Sequence, residues 1–274
     1  MGFLDSSNEG GGVAGVPDGG GLNSAFAGLG AVMAWDMADS VSYANIGDTA
    51  IQNVITSPAD SELQTTYDGT VLYNLYHQNE IGKQNGYHLI GIAGEYMDYN
   101  NKTTFMNAMH KAGATWTVSF TWKSWTNTGS NIVLWSSTNG TGATRLGVSI
   151  VKVSNTSIEF RISNGATYEI QQAFTITSLS NYKDYCFTLT FDDATGVANL
   201  YVNGTKYTAT GLTMSTPATG DRAIAGQYGF GSGGDGFEAG VRLYGCALFN
   251  TLFSDANEQT VREGWTTSNG RTYD

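Results

Sequence analysis

The sequence predicts an all-β protein: a two-sheet antiparallel sandwich with a short C-terminal helix and an extended glycine-rich N-terminal arm. From Trp116 onward, short runs alternate between apolar and polar residues and recur at intervals of roughly 8 to 14 residues. Glycine, asparagine, serine and threonine separate the runs, as tight turns between strands favour. Charged residues make up only 14 % of the chain, whereas it has 36 glycines.

The clearest pattern lies in residues 185–208, YCFTLTFDDATGVANLYVNGTKYT. Its first strand has an apolar residue at every second position: Tyr185, Phe187, Leu189 and Phe191. Ala198, Leu200 and Val202 continue the alternation after a polar turn. The pair Asn203-Gly204 then supplies two residues that tolerate the positive φ of a type I′ hairpin. We therefore predict a β-meander with one apolar face.

Other elements follow in order along the chain. A short helix is predicted near Phe105 to Lys111, and a helix from Asp255 to Trp265 is capped by Ser254. The remaining apolar runs, read as strands, are Ala31 to Met37, Val71 to Tyr76, His88 to Ile92, Tyr96 to Tyr99, Trp116 to Trp122, Ile132 to Trp135, Leu146 to Val153, Ile158 to Ile162, Thr167 to Ile170 and Phe237 to Asn250.

The first 29 residues form a glycine-rich leader with too few large apolar side chains to fold alone. We expect this anchoring arm to become ordered against neighbouring subunits, through the apolar residues Phe3, Leu4, Phe26 and Leu29. Residues 30–268 are predicted to form one sandwich domain, since no second core-forming unit or internal repeat is visible. Residues 269–274 are predicted to be a C-terminal tail.

Net charge limits the partners. The formal charge of −11 disfavours nucleic acid and anionic membrane surfaces, which would repel the chain. The N-terminus lacks the basic segment and apolar core of a signal peptide, and the sequence contains no apolar run near 18 residues. We expect synthesis in the cytoplasm without a signal peptide, and no membrane insertion.

Both cysteines, Cys186 and Cys246, lie within strand patterns. The preferred interpretation is a pair of buried free thiols. A cross-strand disulfide is the alternative, and it requires the two strands to be neighbours.

Several motifs resemble those of laminin-G-like, or concanavalin-A-like, jelly rolls. NYKDYCFTLTFDDATGVANLYVNGTKYTATG resembles the stretch H-V-A-V-T-Y-D to L-Y-V-D-G of that family. The closing ALFNTLFSDANEQTVREGW is similar to the ending I-Y-N-R-A-L-S-D-E-E-I, although Leu252 replaces its Ala and the acidic pair is absent. The matching positions are Phe249, Asn250, Phe253, Ser254 and Asp255.

The opening points to one branch of the family. AWDMADSVSYANIGDT resembles the W-D-A-x-x-x-S-Y start of such domains in bacteriophage and bacterial proteins, and GIAGEYMDY resembles F-D-G-x-x-D-Y without its Phe-Asp pair. The matches run in the family order over about residues 31–265. They imply a jelly-roll fold, which hosts lectins, hydrolases and structural modules alike.

The enzymes that this resemblance suggests, retaining glucanases, carry an E-x-D-x-E strand that the sequence lacks. Asp60 and Glu62 have the right spacing but follow Pro58 in a turn-rich stretch. Glu159 and Arg161 form a same-face pair that we place on the solvent side. We therefore predict no catalytic residues and no enzyme.

No metal or cofactor site is predicted. The three histidines are scattered, with no zinc-binding spacing. Calcium is the alternative for Asp192-Asp193, since similar proteins hold it at a sheet rim, but the preferred interpretation is a pair of turn aspartates.

The leading functional hypothesis is a non-enzymatic virion structural protein of a bacteriophage. It would lie on the particle surface, as capsid decoration or a fibre component, and would be anchored to other virion proteins through residues 1–29. It would be made in the host cytoplasm and form a homo-oligomer, with a trimer favoured, because virion sites repeat by symmetry.

The alternative is a carbohydrate-binding, lectin-like module that recognises host-surface glycans. Sugars stack on exposed aromatic rings, and the aromatic residues nearest to loops are the candidate contacts. These are Trp125, Tyr168, Tyr228 and Phe230.

Overall fold

The computed structural model describes residues 20–36, 50–51, 69–72, 75–78, 86–89, 96–99, 104–123, 132–137, 143–221 and 242–274. In chain order the elements are α1 (Gly20–Ala27), β1 (Ala31–Asp36), β2 (Ala50–Ile51), β3 (Gly69–Leu72), β4 (Leu75–Gln78), β5 (Gly86–Leu89), β6 (Tyr96–Tyr99), α2 (Thr104–Ala108), β7 (Thr115–Lys123), β8 (Ile132–Ser136), β9 (Gly147–Ser154), β10 (Ser157–Ser163), β11 (Tyr168–Thr175), β12 (Asp184–Asp192), β13 (Val197–Val202), β14 (Thr205–Ala209), β15 (Arg242–Phe249) and α3 (Asp255–Asn269).

The strands confirm the predicted antiparallel sandwich. The large sheet has the order β14-β13-β12-β7-β15-β5-β4, and β1 also pairs with β15. The second sheet has the order β11-β10-β9-β8, and a small third sheet has the order β2-β3-β6. Strand β15 joins β7 on one side to β5 and β1 on the other. The chain is thus mostly β, with a short C-terminal helix.

Several predicted strands have different bounds, for example His88 to Ile92, which corresponds to β5 (Gly86–Leu89). The apolar run from Val71 to Tyr76 is divided between β3 and β4, which belong to different sheets. Strand β11 continues to Thr175, beyond its predicted end at Ile170. Its extension contains two glutamines, so hydrophobic alternation could not identify it.

The main core lies between the large sheet and the four-stranded sheet. Alternate residues of β7 and β12 enter it, as their sequence pattern predicts. The rings of Phe120 and Phe187 stack with their centroids 5.3 Å apart within the large sheet. Trp116 meets Phe160 of β10 edge to face at 5.6 Å, which joins the two sheets. Each such buried side chain stabilises the fold by roughly 1.5–3 kcal/mol.

The opposite face of the large sheet is also buried, which corrects the prediction of a single apolar face. Thr117, Ser119 and Thr121 of β7 have no exposed surface. Ser119 Oγ accepts hydrogen bonds from Trp265 Nε1 of α3 and from Thr188 Oγ1, each at 3.0 Å. Short hydroxyl side chains leave room for a covering helix, and a buried hydroxyl is tolerated when it is hydrogen-bonded.

Helix α1 supplies part of this cover. Leu22 and Phe26 lie four residues apart on one helical face and are 2 % and 0 % exposed. The ring of Phe26 lies 5.0 Å from that of Trp265, centroid to centroid. Gly264 permits the approach of the two helices, because a Cβ there would lie 2.7 Å from Phe26 Cε1.

This packing changes the predicted anchoring arm. Phe26 and Leu29, which we expected to contact other subunits, pack instead in the cluster between the large sheet and α3 of the same chain. The folded unit therefore includes α1 and Leu29, which the sequence alone assigned to the arm. Phe3 and Leu4 lie outside the described residues, so their anchoring role stays a prediction.

The predicted tail at residues 269–274 is also part of the fold. Arg271 and Tyr273 are 1 % and 2 % exposed. The guanidinium carbon of Arg271 lies 3.4 Å from the centroid of the Tyr244 ring, and its Nη1 lies 3.5 Å from Asp184 Oδ1. Alternate residues of this segment therefore cover the end of the large sheet, as a free tail would not.

The predicted hairpin turn is confirmed. Asn203 and Gly204 both have positive φ, at 49° and 79°, as a type I′ turn requires. The Asn203 side chain also accepts a hydrogen bond from Cys186 N at 2.8 Å, which ties the turn to β12.

The cap of α3 is confirmed as well. Ser254 Oγ accepts from Asn257 N at 3.2 Å. The helix continues past its predicted end at Trp265 and stops at Gly270, which adopts the left-handed conformation (φ 66°) common at helix C-termini.

Both cysteines are buried free thiols, as predicted. Cys186 lies on the helix-covered face of the large sheet, and Cys246 lies in the main core. Burial raises the pKa of the Cys186 thiol to about 12. Among the described residues, no helix combines the length and the apolar character that a membrane span needs.

Candidate functional site

The outer face of the four-stranded sheet carries two charged residues. Along β10, Ile158, Phe160 and Ile162 enter the core, so Glu159 and Arg161 lie on the other face. Their predicted same-face pairing is confirmed. Each side chain keeps only 12 % of its surface exposed, so the pair is more enclosed than one on an open solvent face.

A register shift brings Tyr168 to the same face. Strand β11 pairs regularly with β10 as far as Ile170, and then Ser163 pairs with Tyr168, which leaves Glu169 as an extra residue. In a regular strand without a bulge, Tyr168 and Gln171 would point to opposite faces, since they are three positions apart. A β-bulge re-aims side chains in this way, and bulges are enriched next to functional sites.

The four outer-face residues Glu159, Arg161, Tyr168 and Gln171 form what we call the Tyr168 cluster. Glu159 Oε2 accepts from Arg161 Nε at 2.6 Å and also contacts Nη2 of the same guanidinium. Glu159 Oε1 accepts from Gln171 Nε2 at 2.8 Å. Arg161 Cζ lies 5.6 Å from the centroid of the Tyr168 ring, within the range of a cation–π contact. The carboxylate thus holds the guanidinium beside the ring.

The hairpin that contains Tyr168 is hydrogen-bonded to Thr216, in the segment after β14. Glu169 accepts from Thr216 N at 2.7 Å, from Thr216 Oγ1 at 2.6 Å and from Asn164 Nδ2 at 2.6 Å. Burial acts to raise the pKa of Glu169, but hydrogen bonds from Thr216 and Ser215 outweigh it and lower this pKa below its ordinary value. Glu169 is therefore ionised at neutral pH and stabilises the bulge that aims Tyr168.

The arrangement combines an aromatic face with polar groups held in fixed positions. Gln171 is exposed and Tyr168 is partly exposed, so each side chain keeps some surface accessible to solvent. An aromatic ring offers a flat apolar surface, and the amide and the remaining guanidinium N–H groups offer hydrogen bonds. Binding sites for small polar molecules typically combine apolar contact with a few placed polar groups.

Of the four aromatic residues predicted from the sequence as glycan contacts, the structure describes Tyr168. The other three, Trp125, Tyr228 and Phe230, lie outside the described residues. The sequence predicted that Glu159 and Arg161 share a face of the sheet. It did not predict that Tyr168 and Gln171 lie on the same face. A two-residue period cannot reveal an extra residue at position 169.

The aspartates considered for calcium have other partners. Asp192 accepts from Thr195 Oγ1 at 2.6 Å and from Thr115 Oγ1 at 3.2 Å, and these bonds, led by that from Thr195, lower the pKa of its carboxyl. Asp193 Oδ2 accepts from Gly113 N at 2.8 Å. Both residues thus stabilise the turn between β12 and β13. In the part of the chain that the structure describes, no group of three or more potential metal ligands comes together.

Comparisons with known proteins identify the fold. No family model matches the chain, and no curated protein matches its sequence. Among solved structures, a Trypanosoma rangeli sialidase in complex with sialic acid aligns with a TM-score of 0.55 at 16 % identity, over 86 % of this chain and 33 % of the sialidase. The botulinum neurotoxin serotype D binding domain aligns with a TM-score of 0.56 at 17 % identity, over 88 % of this chain and 52 % of that one.

A third structure is the binding domain of botulinum neurotoxin DC in complex with rat synaptotagmin II, with a TM-score of 0.56 at 12 % identity. The alignment covers 86 % of this chain and 52 % of that binding domain. The chain therefore spans about a third of the sialidases and about half of the neurotoxin domains that it resembles. At these identities the likeness shows the fold alone.

The comparisons correct one prediction and leave others untested. The expectation that the chain is not an enzyme is contradicted, because structures with this fold include sialidases, which are enzymes. The fold also occurs in binding domains. No finding bears on the bacteriophage link, the virion location or the trimer, which stay predictions. The chain is a mostly-β sandwich whose solved structural neighbours include sialidases and neurotoxin binding domains.

Proposed function

We propose that the chain is a carbohydrate-binding module and that the Tyr168 cluster contacts the sugar. The observation that carries the proposal is the register shift at Glu169, which places Tyr168 beside Arg161 and Gln171 on one face. The same fold occurs in a sialidase solved with sialic acid, of which the chain spans 33 %, and this is compatible with a carbohydrate ligand. Carbohydrate binding by this chain is also compatible with display on a virion.

Each member of the cluster has a distinct role in this proposal. The Tyr168 ring packs against the C–H face of a pyranose, as aromatic side chains do in contacts with flat apolar surfaces. Gln171 and the free N–H groups of Arg161 bind hydroxyl groups at the edge of the sugar. Glu159 is a positioning residue, since it fixes both polar side chains through its two oxygens.

The test is binding to a glycan array by the wild type, Tyr168→Ala and Tyr182→Ala, with and without calcium. Tyr182 is a matched control, because it is a tyrosine 56 % exposed in the connection between β11 and β12 and is not in the cluster. Loss of an aromatic contact worth about 0.5–1.5 kcal/mol beyond its buried area weakens binding about 2- to 13-fold. We expect this loss for Tyr168→Ala and none for Tyr182→Ala.

Two results would overturn the proposal. One is the absence of binding by the wild type to any glycan on the array under either calcium condition. The other is an equal effect of both tyrosine substitutions, which would mean that the sugar binds elsewhere.

A further inference from the structure

We infer that the sugar bound by the Tyr168 cluster is an uncharged pyranoside, and that acidic sugars such as sialic acid are disfavoured. This inference rests on the proposed function and adds the class of ligand to it. The likeness to a sialidase solved with sialic acid would by itself suggest an acidic sugar. An experiment can therefore separate that expectation from our inference.

The first reason is that the cation of the cluster is already paired. Arg161 directs its Nε and Nη2 at Glu159 Oε2. An acidic sugar is best recognised by a guanidinium whose donors form two parallel bonds to the ligand carboxylate. Here the edge of Arg161 that contains Nε already binds a carboxylate of the protein.

The second reason is that Arg161 cannot leave its partner without a penalty. The Glu159 side chain is 12 % exposed, and its other hydrogen-bond partner is the neutral amide of Gln171. If Arg161 turned to a ligand carboxylate, the enclosed Glu159 would lose its counter-charge, which is strongly unfavourable for a buried pair. The paired state therefore favours neutral hydroxyl ligands.

The third reason is the charge of the hairpin itself. Residues 157–175 contain two carboxylates, Glu159 and Glu169, and one cation, Arg161. Glu169 stays ionised through its bonds to Thr216. The chain as a whole carries a formal charge of −11, so the longer-range field also opposes an anion. Two further cations lie near the hairpin: Lys152 of β9, which pairs with Ile158, and Arg145 in the turn before β9.

The experiment compares pairs of glycans that differ only in a terminal sialic acid, by calorimetric titration of the wild-type protein. We expect the uncharged member to bind at least about tenfold more tightly, and the ratio to shrink as salt screens the repulsion. Glu159→Gln keeps an oxygen that can accept from Arg161 but leaves the Arg161 guanidinium without its counter-charge. We therefore expect this variant to narrow or reverse the ratio of the two glycan affinities.

Glu263→Gln is the matched control, since it removes the same charge from an exposed position of α3 and should leave the ratio unchanged. If Glu159→Gln does not fold, as shown by its unfolding curve, the salt dependence of the wild type still decides. Equal or tighter wild-type binding of the sialylated member overturns the inference. Tyr168→Ala and Arg145→Ala then show whether that binding depends on the cluster or on the adjoining turn. If Tyr168→Ala abolishes that binding, the proposed function survives. Binding of neither member overturns both.

Discussion

Gly245 of β15 lies directly beneath the indole ring of Trp265 in α3. A Cβ at position 245 would lie 2.5 Å from Trp265 Cζ3 and 2.9 Å from the backbone oxygen of Trp35. Both are shorter than any normal carbon contact, and the second involves backbone that cannot rotate away. The contact between helix and sheet therefore depends on the absence of a side chain at this position.

Gly245→Ala should destabilise the protein by about 1–3 kcal/mol, because overpacking forces the helix or the sheet to shift. Gly220→Ala is the control, since a Cβ there meets nothing within 4 Å. Urea unfolding measures both. Equal midpoints for the two variants would show that α3 does not pack closely on β15.

Phe26→Ala tests the place of α1. Phe26 is fully buried beside Trp265 and Phe249, so its truncation should cost about 3–5 kcal/mol of unfolding free energy. Leu252→Ala, at a residue 40 % exposed, should change stability by no more than about 0.5 kcal/mol. If Phe26 were an anchor for other subunits, as the sequence alone suggested, the monomer would keep its full stability without it.

Arg271→Ala tests the C-terminal segment. Removing the guanidinium takes away one partner of the buried Asp184 carboxylate, and breaking such a pair costs about 3–5 kcal/mol. Thr272→Ala changes the neighbouring exposed residue and should be neutral. Thermal or urea unfolding of the two variants distinguishes an integrated segment from a free tail, for which both substitutions would be silent.

Much of the fold could be predicted because alternation in β7 and β12 records which residues enter the main core. The second buried face could not, because Thr117, Ser119 and Thr121 are polar by type although they are short and enclosed. Helix α1 is preceded by glycines that suggest a flexible leader, and the Leu22 and Phe26 spacing is its one signal.

The candidate site was predictable only in part. Glu159 and Arg161 stand two apart on one strand, so their shared face follows from the pleat. Tyr168 and Gln171 stand three apart, and only the extra residue Glu169 brings them together. That residue is fixed by its bonds to Thr216, a contact 47 residues along the chain that no local pattern contains.

The cysteines should be unreactive in the folded protein. Burial raises the pKa of Cys186 to about 12, so its thiol is protonated at pH 8, and Cys246 is equally enclosed. The thiolate is the reactive form, so a disulfide reagent such as Ellman's should label neither residue in the native state and both in denaturant. Rapid native labelling of one thiol would contradict the described packing of its sheet.

The most direct test of the central claim is to follow the NMR signals of the tyrosine rings during a glycan titration. In protein with isotope-labelled tyrosine, titration with an uncharged glycan selected from the array should shift the Tyr168 ring signals progressively and leave those of Tyr182 unchanged. Saturable binding with no change at Tyr168 would contradict the account, because the sugar would then bind outside the cluster.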